Sequence, residues 1–174
     1  MNKSYALEHN IYFGAEQNLS KAISVNYGAR LTAFRNMGKT LQYHYDNNYD
    51  VSGATEYGSG KIYHTYIRPE FRAGLVYKLN EWSSVKANFT HNTQFIQIAN
   101  NSDSGSPLDL WFPASPNIKP QEANQYSVGY FRNFKNNAIE TSVEFYYKGM
   151  NNVIDFKDNA QILFNEKLDG DIRT

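Results

Sequence analysis

Gln125–Lys148 reads QYSVGYFRNFKNNAIETSVEFYYK, two extended runs that meet at Asn136-Asn137. An Asn-Asn pair suits the φ > 0 positions of a type I′ turn, so the stretch predicts a two-stranded hairpin. Folding it about that pair sorts its side chains onto two faces. One face opposes Phe134 to Ile139, Arg132 to Thr141, Tyr130 to Val143, Val128 to Phe145 and Tyr126 to Tyr147. The other opposes Asn133 to Glu140, Phe131 to Ser142, Gly129 to Glu144, Ser127 to Tyr146 and Gln125 to Lys148. A slip of one residue would mix the two faces, so the register is strongly specified. Each arm runs roughly ten residues, the length with which a tilted strand crosses a bilayer and well above that of an ordinary globular strand.

Outward from this hairpin the same alternation recurs. Tyr5, Leu7, His9, Ile11, Phe13 and Ala15 alternate with Ala6, Glu8, Asn10, Tyr12, Gly14 and Glu16, which is the period of a strand. After a short turn at Asn18–Lys21, Ala22–Asn36 places Ile23, Val25, Tyr27, Ala29, Leu31 and Ala33 on one face. Lys61–Leu79 sets Ile67, Phe71, Ala73, Leu75, Tyr77 and Leu79 against Arg68, Glu70, Arg72 and Lys78. Pro69 weakens the upper end of that strand, because proline donates nothing to a ladder. A turn at Asn80–Trp82 leads into Ser83–Ile98, with Val85, Ala87 and Phe89 continuing the apolar face. Tyr77 is expected opposite Val85, since the competing register opposes Lys78 to Lys86.

The connections alternate short and long. Asn18–Lys21, Asn80–Trp82 and Lys135–Asn137 are brief, whereas 37–60, 99–122 and roughly 151–161 are long and polar. Short turns on one side and long loops on the other are the habit of outer-membrane barrels. The reading is all-β: an antiparallel up-and-down meander of about seven long strands, with no helix and with the long loops extracellular.

Composition narrows the function. Lys plus Arg number 17 and Asp plus Glu 17, so no basic field points to nucleic acid. The absence of cysteine excludes disulfide scaffolds, Cys-ligated zinc and thiol nucleophiles. No apolar run is long enough for a membrane-spanning helix. Tyrosine is in excess, with 14 Tyr beside 11 Phe, as in aromatic girdles or sugar-binding β-proteins. Met1 leads straight into a polar strand, so no signal peptide is expected, and a barrel lacking one is expected to be an excised piece.

Leu108–Phe156 resembles the late barrel region of TonB-dependent outer-membrane receptors. The resemblance rests on Pro116-Asn117-Ile118-Lys119-Pro120-Gln121, on Tyr126–Tyr130, and on Asn152–Asp155 after the second strand. Upstream, Arg68-Pro69-Glu70-Phe71-Arg72-Ala73-Gly74-Leu75 and Ser84–Ala87 are similar to a strand pair of the same family. The flavour is that of Bacteroidetes members, without SusC-type signatures. The resemblance implies that residues 1–174 are a partial receptor barrel domain, about a third of a 22-stranded transmembrane β-barrel, from its C-terminal half. It implies a plug domain and the TonB complex as partners in the parent, neither plug nor TonB box lying in this chain. It further implies the cell outer membrane as location, outer-membrane lipid as surroundings, and energised uptake of an iron chelate, cobalamin or an oligosaccharide. No catalytic role and no cofactor are implied.

Side chains that carry chemistry elsewhere read more plainly as wall. Glu140 with Glu144, and Glu70 between Arg68 and Arg72, all fall on faces the pattern makes polar, so a solvated lumen outweighs a carboxylate pair built for glycoside hydrolysis. His9, His44, His64 and His91 are scattered without metal-ligand spacing. Asp46-x-Asn48-x-Asp50-x-Ser52-Gly53 begins like a calcium loop, but Val51 and Tyr57 stand where such a loop needs Gly and Glu. The ligand-binding candidates are the loop aromatics Tyr43, His44, Tyr45 and Tyr49 in the first long loop, and Trp111 and Phe112 in the second. Two other classes compete: a surface adhesin on the same barrel, and a soluble lectin-like β-sandwich. In isolation the chain is expected to self-associate through its uncovered edges.

Overall fold

The computed structural model describes residues 5–46, 50–99, 110–134, 138–156 and 172–173. They form β1 (Tyr5–Asn18), β2 (Ile23–Met37), β3 (Thr40–Tyr45), β4 (Val51–Tyr57), β5 (Ile62–Asn80) and β6 (Ser83–Gln94). There follow β7 (Ile96–Ala99), β8 (Leu110–Pro113), β9 (Gln121–Phe134), β10 (Ile139–Asn151), β11 (Asp155–Phe156) and β12 (Ile172–Arg173). No helix occurs among the described residues.

Six long strands make one antiparallel sheet in the order β1-β2-β5-β6-β9-β10. The register of its last pair is the one the side-chain pattern demands: Phe134 faces Ile139, Tyr130 faces Val143, and Tyr126 faces Tyr147. The turn at Asn136-Asn137 lies outside the described residues. Tyr77 faces Val85, and Lys86 meets Val76 instead of another lysine. The three short connections share one end of the sheet. At the first, Ser20 Oγ accepts from the N–H of Ala22 and Ile23 at 3.1 and 3.0 Å. At the second, Asn80 Oδ1 accepts from Trp82 N–H at 2.9 Å.

One face is apolar from edge to edge. A single cross-strand row runs Gln17, Val25, Leu75, Ala87, Val128 and Phe145; the next runs Ala15, Tyr27, Ala73, Phe89, Tyr126 and Tyr147. Ile11, Phe13, Leu75, Val128, Val143 and Phe145 are all exposed, and no second layer covers them among the described residues. The apolar band also slants. It centres on Ile11 in β1 but on Val143 in β10, whose register row passes through Tyr130, Val85 and Tyr77 to Ile23, beyond the end of β1. About eight residues of offset over five interstrand steps is a slope of roughly 45°, the tilt that barrel strands take to a membrane.

The opposite face is polar and close-fitted. Gly14 faces Gly28, and Arg72 lies against both: a Cβ on Gly28 would stand 2.9 Å from Arg72 Nε and from the Phe13 carbonyl. Lys86 Nζ sits 4.3 Å above the Phe131 ring, a cation–π contact on the same face.

Two expected loops contain further strands. Thr40–Tyr45 and Val51–Tyr57 pair as a hairpin within 37–60, and Leu110–Pro113 lies within 99–122. Its partner, Ile96–Ala99, takes up the end of the run expected as one strand over Ser83–Ile98, which instead stops at Gln94. Polar composition hid the first hairpin, because standing beyond the sheet it has no fully buried face to make its alternation apolar. Its Thr, Tyr and Val residues still favour extended backbone. Residues 162–164, where a further short run is expected, lie outside the described residues.

The bare sheet exposes large apolar side chains along β1, β2, β5, β9 and β10, whereas soluble monomers rarely expose contiguous apolar patches beyond a few hundred Å². The outer edges of β1 and β10 have no ladder partner among the described residues. The 174-residue chain prepared alone in water is therefore expected to associate or to need detergent. Sedimentation velocity across a concentration series checks this, and a monomer persisting at high concentration without detergent would speak against it.

Candidate functional site

A cluster of buried apolar side chains lies at the end opposite the short turns, on the polar face. Phe34 of β2 stacks on Phe95, their rings 5.0 Å apart and nearly parallel, with Ala114 completing the cluster and Tyr66 packed against it. A strap, residues 114–120, is tied down over this cluster. Ala114 N–H donates to the Phe95 carbonyl at 2.6 Å, and Asn36 Nδ2 donates to the Ala114 carbonyl at 2.7 Å. Tyr66 Oη donates to the Ser115 carbonyl at 2.8 Å, and Gln97 Nε2 to that of Lys119 at 2.9 Å.

Local sequence explains the strap's shape. Ser115-Pro116-Asn117-Ile118 is a turn with proline where its fixed φ fits, and Ser115 and Ile118 exchange both backbone hydrogen bonds at 2.9 and 3.1 Å. Asn117 Nδ2 then reaches the Tyr43 carbonyl at 3.1 Å, joining the strap to the β3–β4 hairpin. Asn152, at φ 56°, donates from Nδ2 to the Pro120 carbonyl at 3.0 Å, and Ile154 is buried like Ile118. Asparagine tolerates this left-handed backbone better than most residues. The motif around Pro116 and the motif around Asn152 are thus one assembly.

Below the strap a cleft of about 270 Å³ is lined by Glu8, Arg30, Thr32, Glu70, Thr93, Gln94, Phe95 and Ile96. Its hub is Glu70, only 5 % exposed. Arg30 donates from Nε at 2.6 Å and from Nη2 at 3.1 Å, a bidentate pair whose arginine side is half-exposed. Thr93 N–H donates to Glu70 Oε1 at 3.0 Å. Thr32 Oγ1 sits 3.2 Å from Glu70 Oε2 and 2.5 Å from Asn10 Oδ1, its one proton shared between them.

The expected ligand-binding aromatics divide. Trp111 is 65 % exposed, with exposed Ile98 directly across the hairpin. Phe112, next in sequence, is 7 % exposed, so it packs inward beside Gln97. His44 is exposed, its Nε2 2.8 Å from Thr55 Oγ1; Tyr43 and Tyr45 are half-buried, and Tyr49 lies outside the described residues. Tyr57 and Tyr63 stack at 5.0 Å at the hairpin's base, with Lys61 Nζ 5.7 Å above Tyr57. In the stretch that begins like a calcium loop, Asp46 Oδ1 accepts Asp50 N–H at 2.9 Å. No group of three His, Asp or Glu side chains with metal-binding geometry occurs among the described residues. Glu140 and Glu144 are exposed on the polar face, opposite Asn133 and Gly129.

Phe34 and Asn36 went unread in the sequence, and Glu70, expected as part of a solvated wall, is buried instead. Phe34 and Asn36 sit on the polar side of β2's alternation, and a large apolar residue out of phase there was the available signal. For Glu70 the signal was the proline beside it. Removing the Tyr66 hydroxyl isolates one strap bond, so Tyr66→Phe is expected to weaken docking by about 1 kcal/mol. Faster hydrogen exchange at strap amides, with the sheet unchanged, checks it.

A tilted, one-sided sheet with short turns at one end and a folded mouth at the other defines a segment of transmembrane β-barrel wall. The family model described as TonB dependent receptor-like, beta-barrel matches residues 2–173, and the chain belongs to that family. Searches of curated proteins and of solved structures returned no match. Membership carries an outer-membrane location and a receptor and transport role; the family's members are transporters rather than enzymes.

Proposed function

We propose that this chain supplies part of the wall and mouth of a receptor that takes up a scarce nutrient, namely an iron chelate, cobalamin or an oligosaccharide, with energy from TonB. Its apolar face meets outer-membrane lipid, and its polar face lines the lumen against the plug domain. The long connections at 37–60, 99–122 and 151–161 stand outside the cell and gather the ligand. The observation that carries this reading is the asymmetry of the sheet. Large apolar side chains are exposed along one face, whereas the buried cluster of Phe34, Phe95 and Ala114 and the Glu70 hub lie on the other.

Trp111 and His44 are the contact positions in this reading, because both are exposed on hairpins beyond the apolar band. Phe112 holds its hairpin in place. Trp111→Ala in the full-length receptor is expected to cut ligand affinity about tenfold, as loss of one stacking anchor does at other interfaces. Equilibrium binding and growth on the scarce nutrient test it together. Unchanged binding and growth with lost surface attachment would move the role to adhesion.

A further inference from the structure

The sheet is not laddered evenly. β2 and β5 stay paired from Ile23↔Tyr77 up to Met37↔Ile62, and β6 and β9 stay paired up to Gln94↔Gln121. Between them, the β5–β6 ladder stops at Phe71↔His91. Above that point Ile62–Glu70 of β5 has no partner in β6, and Asn92–Gln94 of β6 has none in β5. Pro69 stands at the fork without an N–H to offer. The wall therefore splits upward into two arms. One is upper β2 and β5, continuing into the β3–β4 hairpin. The other is upper β6 and β9.

Side-chain stitches replace the missing ladder, two of them at the fork itself and the rest through the strap above it. Glu70 Oε1 accepts the Thr93 N–H at 3.0 Å, standing in for a strand carbonyl. Arg68 Nε reaches Glu122 Oε1 of β9 at 3.0 Å. Glu70 is tied at the same time to Arg30 and Thr32 of β2, so one carboxylate joins three strands. A backbone ladder opens only with the loss of many bonds in register. Here the seam is closed by side chains at the fork and, above them, by the strap with its Phe34–Phe95 stack, so it opens without breaking the ladders on either side.

We propose that the upper β5–β6 seam is a hinge in the barrel wall, latched at the fork by Glu70 and above it by the strap, about which the arm bearing the β3–β4 hairpin moves relative to β6 and β9. The hinge changes the width of the mouth while the lower wall stays closed. The inference rests on the ladder geometry and does not depend on which ligand is taken up.

The test uses the full-length receptor in nanodiscs. With Glu70→Ala, hydrogen exchange at the Thr93 amide is expected to accelerate by at least about tenfold, with the amides of Leu75 and Ala87 unchanged. Glu70→Gln keeps an acceptor oxygen for Thr93 and is expected to restore much of the protection. Spin labels at Glu56→Cys and Asn92→Cys report the arm directly, and their distance distribution should broaden in the Ala variant. Arg68→Gln leaves the Glu70 hub intact and gives a second route to the same broadening, should Glu70→Ala fail to insert. Unchanged exchange at Thr93, equal acceleration at Ala87, or distance distributions indifferent to both substitutions would overturn the hinge.

Discussion

Val143→Arg is expected to destabilise the full-length barrel in a lipid bilayer by about 2–4 kcal/mol, whereas Ser142→Arg changes stability little. The two residues are neighbours on β10 and both are exposed, Val143 at 59 %. They differ only in the face they occupy. Val143 opposes Tyr130 in the apolar rows, near the centre of the slanting band, and Ser142 opposes Phe131 on the polar side. If the apolar face meets lipid, an arginine at Val143 is forced to snorkel or to drag water inward, and either costs free energy. If it met water, the same substitution would replace an exposed valine by a soluble residue at almost no cost. Urea titration of folded fraction in phospholipid vesicles distinguishes the cases. Equal stability of the two variants contradicts lipid contact.

Phe34→Ala is expected to undock the strap. Phe34 is 2 % exposed and stacked on Phe95, and its truncation removes about 3–5 kcal/mol of burial and packing where the sheet is too constrained to collapse into the space. The loss is local, because the ladders of β2 do not pass through the strap. Exchange at the Ala114 amide, bonded to the Phe95 carbonyl, and at Ile118 should rise by roughly a hundredfold or more, since each 1.4 kcal/mol is worth about tenfold. Trp111→Ala is the control, an exposed aromatic whose removal leaves the strap in place. Equal exchange in the two variants would mean that the strap is held by its hydrogen bonds alone.

The legible parts of this fold are those encoded over a few residues. Alternation in Tyr126–Tyr147 specified the register of β9 and β10 residue by residue, and repulsion between Lys78 and Lys86 chose that of β5 and β6. Pro69 marked a weak upper end, and the ladder to β6 does stop just below it. The mouth was illegible for the opposite reason. Asn36 and Ala114, or Tyr66 and Ser115, are brought together by loops folding back over the sheet, and no local periodicity records such a meeting. Glu70 shows the same limit. Its position on a polar face was plain, but its burial depends on Arg30 and Thr93, which only the arrangement of β2, β5 and β6 supplies.

The most direct test is a nitroxide scan along β10, one label at a time from Ile139 to Lys148, in the full-length receptor reconstituted in lipid. The expected result is a two-residue alternation: labels at Val143, Phe145 and Tyr147 relaxed by oxygen dissolved in the bilayer, and those at Ser142, Glu144 and Tyr146 by a water-soluble nickel chelate. Relaxation by the chelate at every position, without alternation, would contradict the claim that this sheet separates lipid from water.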